Sequence, residues 1–344
     1  PRIPRDIERL RDAIVAAAEQ GGIARHRKPW LDTLPTLISL DELRAGDRGR
    51  ENIRDASEPR SRGVLIGLRD RPDAQAQDPV EIRLDEIGNL SIVGASGTGK
   101  TSALLTFASS ISAAAEPDPV HLYAIDAAGG GLEPLLTLPN VGAVAPFADT
   151  ELMGRVLRQL QGIVAERGTR FAAARASGID AYRSTPGGQR EPRVVLLIDG
   201  FSALRQATEM LGARDSPLQL LGEIMQTGRA VGVHVVLSAD RPGALPSSIA
   251  ASVQQQIVLR LASANDYAFA DVPADVLESA PPGRACFAGQ EEEMQLALLS
   301  REVGLAAQSK VLDTLAETLR QAALVPVPLI RNAPERVLLA DLPL

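Results

Sequence analysis

An eight-residue glycine-rich segment constrains this chain more than any other part of its sequence. Residues 94–101 read Gly-Ala-Ser-Gly-Thr-Gly-Lys-Thr and match G-x-x-x-x-G-K-[ST] at every defined position. The apolar run Leu90–Val93 precedes the segment, and Leu104, Ala108 and Ile111 follow it at helical spacing. A glycine-rich turn between a strand and a helix directs backbone N–H groups and the positive end of the helix at one place, where a phosphate group can bind. The segment therefore predicts a phosphate-binding loop rather than an ordinary strand-to-helix turn.

The end of this segment predicts a site for ATP with Mg²⁺. Lys100 is one of only three lysines among 36 basic residues, so a compact ammonium group stands where arginine is otherwise preferred. We expect Lys100 to contact the β- and γ-phosphates, and Thr101 to place its hydroxyl on the magnesium ion. The predicted nucleotide-binding residues are Gly94, Ala95, Ser96, Gly97, Thr98, Gly99, Lys100, Thr101 and Ser102.

A second apolar run ends in the carboxylate that such a site requires. Val194–Ile198 are five aliphatic residues in succession, as expected for a central parallel strand buried on both faces, and Asp199 follows them directly. Because ligands of open α/β sheets bind at the carboxyl ends of the strands, we expect Asp199 and Thr101 to converge on one magnesium ion. The alternative is that Asp199 only begins a turn.

Further strand-like runs define the fold class. Residues 120–125, 231–237 and 256–261 each follow a helical stretch. The alternation predicts an α/β fold with a mostly parallel sheet and helices on both faces, flanked by helical and extended linkers. With the loop at 94–101, this arrangement resembles that of RecA-like P-loop NTPases. A long helix is expected at about 151–177. Residues 70–85, rich in Asp, Gln and Pro, predict a surface loop before the first core strand.

The residue after Asp199 departs from the pattern of hydrolysing P-loop ATPases. Many of these enzymes place a glutamate there to polarise the attacking water, whereas this chain has Gly200. Loss of a positioned base costs about 10² to 10⁴ in rate, so the sequence predicts ATP binding with slow hydrolysis. Asp240 is a candidate substitute for the base. If the missing base limits turnover, Gly200→Glu is expected to raise any residual hydrolysis.

One further run points to a family. Residues 228–242 read Gly-Arg-Ala-Val-Gly-Val-His-Val-Val-Leu-Ser-Ala-Asp-Arg-Pro, and with this run the chain resembles the FtsK/SpoIIIE superfamily of P-loop ATPases over about residues 60–300. Within that family it is most similar to the ATPase modules of EccC, the multi-ATPase chain of type VII secretion. The matching features are the glycine-rich loop Asp126–Gly131, the run Leu138–Val144 and the pair Asp199-Gly200.

The resemblance implies partners, a location and a further site residue. The partners are sibling ATPase modules and secreted protein substrates, the full assembly is a homo-oligomer such as a hexamer, and the full-length chain is tethered to the cytoplasmic face of the membrane. Translocating family members carry an E-R-R run on the long helix, which Glu166 and Arg167 match, but position 168 is glycine. Arg167 is thus a candidate arginine finger acting in trans. The alternative is that Arg167, with Arg155, Arg158 and Arg170, forms a solvated helix face.

The two ends of the chain resemble each other. Residues 28–43 parallel residues 327–342, Pro35 and Pro334 are 299 positions apart, and each segment follows a helical stretch. This echo predicts an inter-module linker at 1–45, an ATPase domain at 46–308, and a C-terminal helix with a second linker at 309–344. Two proline-containing extended segments can also resemble each other by chance.

Composition limits the partners and the location. A net charge of −7 and 3% aromatic residues argue against DNA, because DNA-binding surfaces are basic and single strands are gripped by aromatic side chains. No apolar run is long enough to cross a membrane, so direct membrane contact is not expected. The single cysteine, Cys286, predicts a reducing cytoplasm and a buried apolar role. His26, His121 and His234 are too dispersed for a metal site and predict packing or surface roles.

Three functions compete at this point. The favoured one is a nucleotide-binding regulatory module of a secretion ATPase, in which binding of Mg-ATP matters more than its turnover. The alternative is a DNA-translocating motor of the same fold, which requires a general base and a basic pore. A binding module with a vestigial site is disfavoured by the complete loop at 94–101.

Overall fold

One mixed sheet organises the molecule. The computed structural model describes residues 6–22, 31–51, 63–115, 118–211 and 216–332. The strands in these ranges are β1 (Val64–Arg71), β2 (Ala76–Ile82), β3 (Leu90–Val93), β4 (Val120–Asp126), β5 (Val141–Pro146), β6 (Arg193–Asp199), β7 (Val233–Ala239), β8 (Gln255–Leu259), β9 (Arg284–Phe287) and β10 (Met294–Leu296). They lie in the order β2-β1-β10-β9-β8-β3-β7-β6-β4-β5.

The six strands from β8 to β5 in this order are parallel to one another. β6 shows why they occupy the centre: each of its residues is buried, and its side chains alternate between the two faces of the sheet. Val195 and Leu197 join a core on one face, while Val194, Leu196 and Ile198 join a core on the other. The mostly parallel α/β sheet predicted from the apolar runs is confirmed.

Helices cover both faces of the sheet. The described helices are α1 (Asp6–Gln20), α2 (Leu40–Glu51), α3 (Leu84–Ile87), α4 (Lys100–Ala113), α5 (Thr150–Ala173), α6 (Ile179–Arg183), α7 (Phe201–Leu211), α8 (Pro217–Thr227), α9 (Ser247–Ala250), α10 (Ala264–Phe269), α11 (Ala274–Leu277) and α12 (Leu305–Arg320). Helices α4 and α12 contribute to the first core, and α5 and α8 to the second. Within the described ranges, no helix combines the length and apolar character needed to cross a bilayer.

The prediction of a surface loop at residues 70–85 is wrong. Most of this segment belongs to an antiparallel hairpin of β1 and β2, whose turn ends at Gln75 with a left-handed backbone (φ 46°). β2 is the outermost strand of the sheet and is mostly half-buried. An edge strand tolerates the charged residues and the proline that made this segment look like a loop, because one side of its backbone needs no partner strand.

An extended segment after α12 crosses the opposite edge of the sheet. The Ile330 N–H donates to Gly142 O in β5 over 3.1 Å, and the Tyr123 hydroxyl donates to Pro328 O over 3.0 Å. Val327 and Ile330 pack against the second core. We call residues 324–332 the C-terminal strap. Lys28–Trp30 and residues 333–342 of the predicted echo lie outside the described residues, so the linker and domain boundaries remain predictions.

The lone cysteine and two of the histidines are packing residues, as predicted. Cys286 is buried, and burial raises the pKa of its thiol to about 12. His121 and His234 are also buried, and His234 Nδ1 lies 2.9 Å from Gly88 O. His26 lies outside the described residues.

Candidate functional site

The glycine-rich loop joins β3 to α4 and is fixed from both sides by neighbouring strands. The Gly94 N–H donates to Ala239 O at the end of β7 over 3.1 Å, and the Ala95 N–H donates to Arg260 O just after β8 over 2.9 Å. Within the loop, the Thr98 hydroxyl donates to Ala95 O over 2.8 Å. These contacts hold the loop at the carboxyl edge of the parallel strands, where α/β proteins bind their ligands.

Two positions of the loop require glycine, and a third is tightly packed. Gly97 and Gly99 adopt φ values of 74° and 107°, which are left-handed conformations that side chains disfavour. A Cβ atom at Gly94 would lie 2.8 Å from Leu259 Cβ. The left-handed Gly99 precedes Lys100, the first residue of α4. Backbone N–H groups in the first turn of a helix have no acceptor within the helix, so this loop offers them to an anion.

Lys100 lies against its own loop. Its Nζ atom donates to Gly94 O over 2.6 Å and to Ala95 O over 2.9 Å, and it lies 3.4 Å from Asp240 Oδ1. An ammonium group has three N–H donors, so these three oxygens match its capacity. Asp240 follows β7, and its side chain is 64% exposed.

Thr101 and Asp199 converge as the sequence predicts. The Thr101 hydroxyl donates to Asp199 Oδ2 over 2.6 Å. Asp199 is only 1% exposed. Burial raises its pKa, and the neighbouring Asp126 adds to this, whereas hydrogen bonds from Ser238 and Thr101 and the charge of Lys100 oppose it. The pair thus presents a hydroxyl and a carboxylate at the amino end of α4.

Ser238 completes this arrangement and was assigned no role from the sequence. Its hydroxyl donates to Asp199 Oδ1 and accepts the Gly200 N–H over 2.9 Å. β7 pairs with β6 so that Ile198 lies beside Leu237, and this register places Ser238 next to Asp199. The sequence of either strand alone does not reveal which strand is its neighbour, so this role of Ser238 could be predicted only from the strand order.

The oxygen donors of this pair fit magnesium. Mg²⁺ prefers oxygen ligands and retains several water molecules, so it needs few ligands from the protein. Thr101 and Asp199 supply a hydroxyl and a carboxylate, and no group of three or more histidines, cysteines or carboxylates that could hold a metal occurs in the described part of the chain. An ion here would therefore take most of its ligands from water and phosphate.

Gly200 adopts a conformation that disfavours any side chain. Its φ is 80°, and a Cβ atom would lie 3.0 Å from the Ala127 carbonyl carbon and 3.1 Å from the Ala128 nitrogen. The sequence has no glutamate at this position, and the local backbone also disfavours one. The increase in hydrolysis that the sequence predicts for Gly200→Glu would therefore require this turn to shift.

The loop after β4 lies beside Thr101. Asp126 is buried and accepts hydrogen bonds from the N–H groups of Ala128, Gly129 and Leu132, which fixes both ends of the loop. A Cβ atom at Gly131 would lie 2.4 Å from Thr101 Cγ2. Glycine at this position permits the close approach of the loop to the predicted magnesium ligand.

Arg167 is buried within the chain, whereas the predicted arginine finger acting in trans would require it to be presented to a neighbouring subunit. Its side chain is 4% exposed, donates to Val231 O over 2.9 Å and to Pro192 O over 2.7 Å, and pairs with Glu191 over 2.9 Å. Pro192 and Val231 precede the starts of β6 and β7, so Arg167 lies at the amino edge of the sheet, opposite the loop. Helical spacing suggested a solvated face and could not reveal that two strand ends cover this arginine.

Comparison with known proteins identifies the family. The FtsK/SpoIIIE family profile matches residues 55–286, which include the glycine-rich loop, Asp199 and Asp240. The chain belongs to the FtsK/SpoIIIE family. The match covers more than half of the chain and most of the sheet.

Several FtsK/SpoIIIE-related secretion proteins are similar in sequence. The chain is 28% identical to the ESX-1 secretion system protein EccCb1 of Mycobacterium tuberculosis over 98% of its length and 56% of that protein. It is 34% identical to the ESX-4 secretion system protein EccC4 of the same organism over 69% of its length and 18% of that protein. The chain therefore spans from under a fifth to just over half of these relatives.

Solved structures share the fold of this FtsK/SpoIIIE chain. The cytoplasmic domain of the Thermomonospora curvata type VII secretion ATPase EccC superposes with a TM-score of 0.76 at 24% identity, over 99% of this chain and 40% of that one. ATPases 2 and 3 of Geobacillus thermodenitrificans EssC give a TM-score of 0.74 at 21% identity, over 90% and 56%. A structure of ATPases 2 and 3 of T. curvata EccC in complex with a signal sequence peptide gives a TM-score of 0.71 at 24% identity, over 84% and 53%.

Proposed function

We propose that this chain is an ATP-binding module of a multi-ATPase secretion protein, in which binding of Mg-ATP is the functional event and hydrolysis is slow. One combination of features carries the proposal: a complete phosphate loop and a Thr101–Asp199 pair stand next to a glycine at position 200. The left-handed backbone of Gly200 and its close approach to Ala127 disfavour a glutamate base at this position. The site is thus equipped for phosphate and metal but lacks the usual group that activates water.

Each part of the loop has a proposed role. The N–H groups of Gly94–Ser102 surround the phosphates, and Lys100 exchanges contacts within the loop for phosphate oxygens. Thr101 and Asp199 hold Mg²⁺, which neutralises phosphate charge when bound. Ser238 fixes the Asp199 carboxylate so that its other oxygen faces Thr101. Asp240 is the exposed carboxylate beside Lys100 and remains the candidate that could orient water.

The proposed partners follow from the relatives. EccCb1 and EccC4 are secretion system proteins, and the chain spans only part of each. We therefore place this module beside sibling ATPase modules, in a cytoplasmic assembly tethered to the membrane, where it gates secreted protein substrates. A T. curvata EccC structure holds a signal sequence peptide, which supports a secreted protein as the regulating ligand. Oligomerisation, such as a hexamer, belongs to the full assembly.

Titration calorimetry with Mg-ATP tests the nucleotide site. The wild-type chain is expected to bind, and Lys100→Ala is expected to lose at least about tenfold in affinity because it removes a charged phosphate contact. Lys310→Ala is the matched control, because Lys310 is an exposed lysine in α12. Equal affinity of wild type and Lys100→Ala would show that the phosphate site has been misplaced.

Turnover measurements separate the proposal from a DNA motor. We expect slow ATP hydrolysis that duplex DNA does not stimulate, because the chain carries a net charge of −7 and a glycine at the base position. Strong stimulation by DNA would favour a translocating motor of the same family. The same assay with secreted protein substrate and with the adjoining modules present tests regulation by partners.

A further inference from the structure

We propose that Asp240 sets the nucleotide preference of this site by weakening the binding of a triphosphate relative to a diphosphate. The inference rests on the proposed nucleotide site and adds a specificity-determining residue to it. It starts from the ion pair between Asp240 and Lys100, in which Asp240 Oδ1 lies 3.4 Å from Lys100 Nζ.

The strand order places Asp240 at the loop. β7 lies between β3 and β6, and Ala239, its last residue, pairs with Val93 and accepts the Gly94 N–H. Asp240 therefore leaves the sheet between the start of the glycine-rich loop and Asp199. Any residue at this position faces the phosphate-binding edge, so its charge acts on the bound ligand.

The contacts of Lys100 differ in kind. Two of them are to backbone carbonyl oxygens of its own loop, Gly94 and Ala95, while the third is to a charged carboxylate. A phosphate group that approaches Lys100 competes with Asp240 for the same ammonium and also meets its negative charge. The cost of this competition rises with the number of charged phosphates that lie close to Asp240, and a triphosphate brings one more than a diphosphate.

The other carboxylates of this edge are engaged differently. Asp126 is buried and accepts three backbone N–H groups, and Asp199 is buried and accepts two hydroxyls. The Asp240 side chain is 64% exposed and pairs with the lysine itself. The charge of Asp240 can thus act on a bound ligand, because it is not neutralised by hydrogen bonds within the fold.

The positions of the phosphates determine which of the two nucleotides binds more tightly. The loop N–H groups surround the β-phosphate, whereas the γ-phosphate lies further from the loop, where Lys100 and the ends of the neighbouring strands are its nearest partners. A diphosphate binds the loop and leaves the outer contact of Lys100 to Asp240. A triphosphate must displace that contact. The pair with Asp240 therefore favours ADP over ATP.

The expected effect is modest, because Asp240 is exposed to solvent and its field is screened by salt. We expect Asp240→Asn to raise the affinity for Mg-ATP by about three- to tenfold and that for Mg-ADP by less than about twofold. The difference is expected to shrink when the ionic strength rises from about 0.05 to about 0.5 M.

Titration calorimetry with Mg-ATP and Mg-ADP on four chains tests the proposal. These are wild type, Asp240→Asn, Asp240→Glu, which keeps the charge, and Asp73→Asn, which removes an exposed carboxylate from the turn between β1 and β2. Asp240→Glu and Asp73→Asn are expected to keep the wild-type ratio of the two affinities. Equal gains for ATP and ADP, no gain, or a loss for Asp240→Asn would overturn the inference.

The outcomes also separate this inference from the proposed function. If wild type binds nucleotide in a Lys100-dependent manner and Asp240→Asn leaves the ATP-to-ADP ratio unchanged, only the inference fails. If neither wild type nor Asp240→Asn binds nucleotide, the proposed function fails with it. If Asp240→Asn lowers turnover without changing either affinity, Asp240 acts on water and not on nucleotide choice.

Discussion

Thr101 Oγ1 lies 2.6 Å from Asp199 Oδ2, although 98 positions of sequence separate the two residues. Thr101 lies in the first turn of α4, and Asp199 ends β6. The second carboxylate oxygen is held by Ser238 at the end of a third element, β7. Three segments that are distant in sequence thus meet at one carboxylate, and their hydrogen bonds fix its orientation.

We expect Asp199→Asn to weaken binding of ATP only when magnesium is present. Asparagine keeps the size of the side chain but removes the charge, so the magnesium-dependent part of the affinity should fall by about tenfold or more. Calorimetry in magnesium and in chelator measures the two parts separately. Asp73→Asn serves as the control for charge removal. An equal loss under both conditions would show that Asp199 acts on the nucleotide or the fold, not on the metal.

Substitution of Gly200 is expected to lower stability without restoring turnover. Gly200→Ala should cost about 1–3 kcal/mol, because the left-handed backbone and the nearby Ala127 carbonyl disfavour a side chain. Gly200→Glu should be at least as unstable and should hydrolyse ATP no faster than wild type. Denaturant unfolding and a turnover assay test both statements.

The control for Gly200 is Gly162→Ala within α5. A Cβ atom at Gly162 has no neighbour within 4 Å, so alanine there is expected to stabilise the helix by about 0.5–1 kcal/mol. A Gly200→Glu chain with wild-type stability and raised turnover would mean that the turn after β6 adapts readily and that the base alone was missing.

Arg167→Met is expected to affect folding and not nucleotide binding. The substitution leaves the carbonyls of Pro192 and Val231 without their charged donor and removes the buried ion pair with Glu191, which keeps only its pair with Arg170. Its cost should be about 2–4 kcal/mol in the free energy of unfolding. Arg158→Met on the exposed side of the same helix should change it by less than about 0.5 kcal/mol. Reduced ATP affinity with unchanged stability would support the finger role.

Acid is expected to weaken the fold through His121. Burial lowers the pKa of this histidine from 6.5 to about 4, although a hydrogen bond between Nε2 and Val325 O opposes the shift. The unfolded chain therefore binds a proton more readily than the folded one. The free energy of unfolding is therefore unaffected by titration of His121 above pH 6.5. It falls as the pH drops towards 4, by at most roughly 3 kcal/mol, because the unfolded chain takes up the proton first.

Unfolding midpoints between pH 4 and 7 check this contribution. His121→Gln keeps an N–H donor for Val325 O but does not titrate, so its stability should vary less with pH than that of wild type in this window. Parallel pH profiles for the two chains would assign the acid sensitivity to other groups.

Local motifs explain why much of the site was predictable. The glycine-rich loop is contiguous, and its flanking strand and helix are visible as an apolar run and a helical repeat. Asp199 was predictable because a buried parallel strand ends at the edge where ligands bind, so its chemistry follows from its position. These two predictions needed no knowledge of which strand lies beside which.

The contacts that the sequence does not predict depend on which strands lie side by side in the sheet. Ser238 meets Asp199 only through the pairing of β7 with β6, and Asp240 meets Lys100 only because β7 lies beside β3. Arg167 follows a solvated helical pattern, but its partners are two strand starts more than 20 positions away. The polar segment 70–85 looks like a loop in the sequence because the edge strand within it, β2, lacks the apolar run of a central strand.

The C-terminal strap has a consequence for the behaviour of the chain in solution. β5 ends the parallel side of the sheet, and an uncovered edge strand offers unpaired backbone groups to any extended chain nearby. The bond from Ile330 to Gly142 occupies part of that edge, and the packing of Val327 keeps the strap in place. A chain shortened at Ala323 would expose β5 as a template for strand addition. Self-association and aggregation of such a shortened chain would then reflect the loss of an intramolecular cover and not the loss of the nucleotide site.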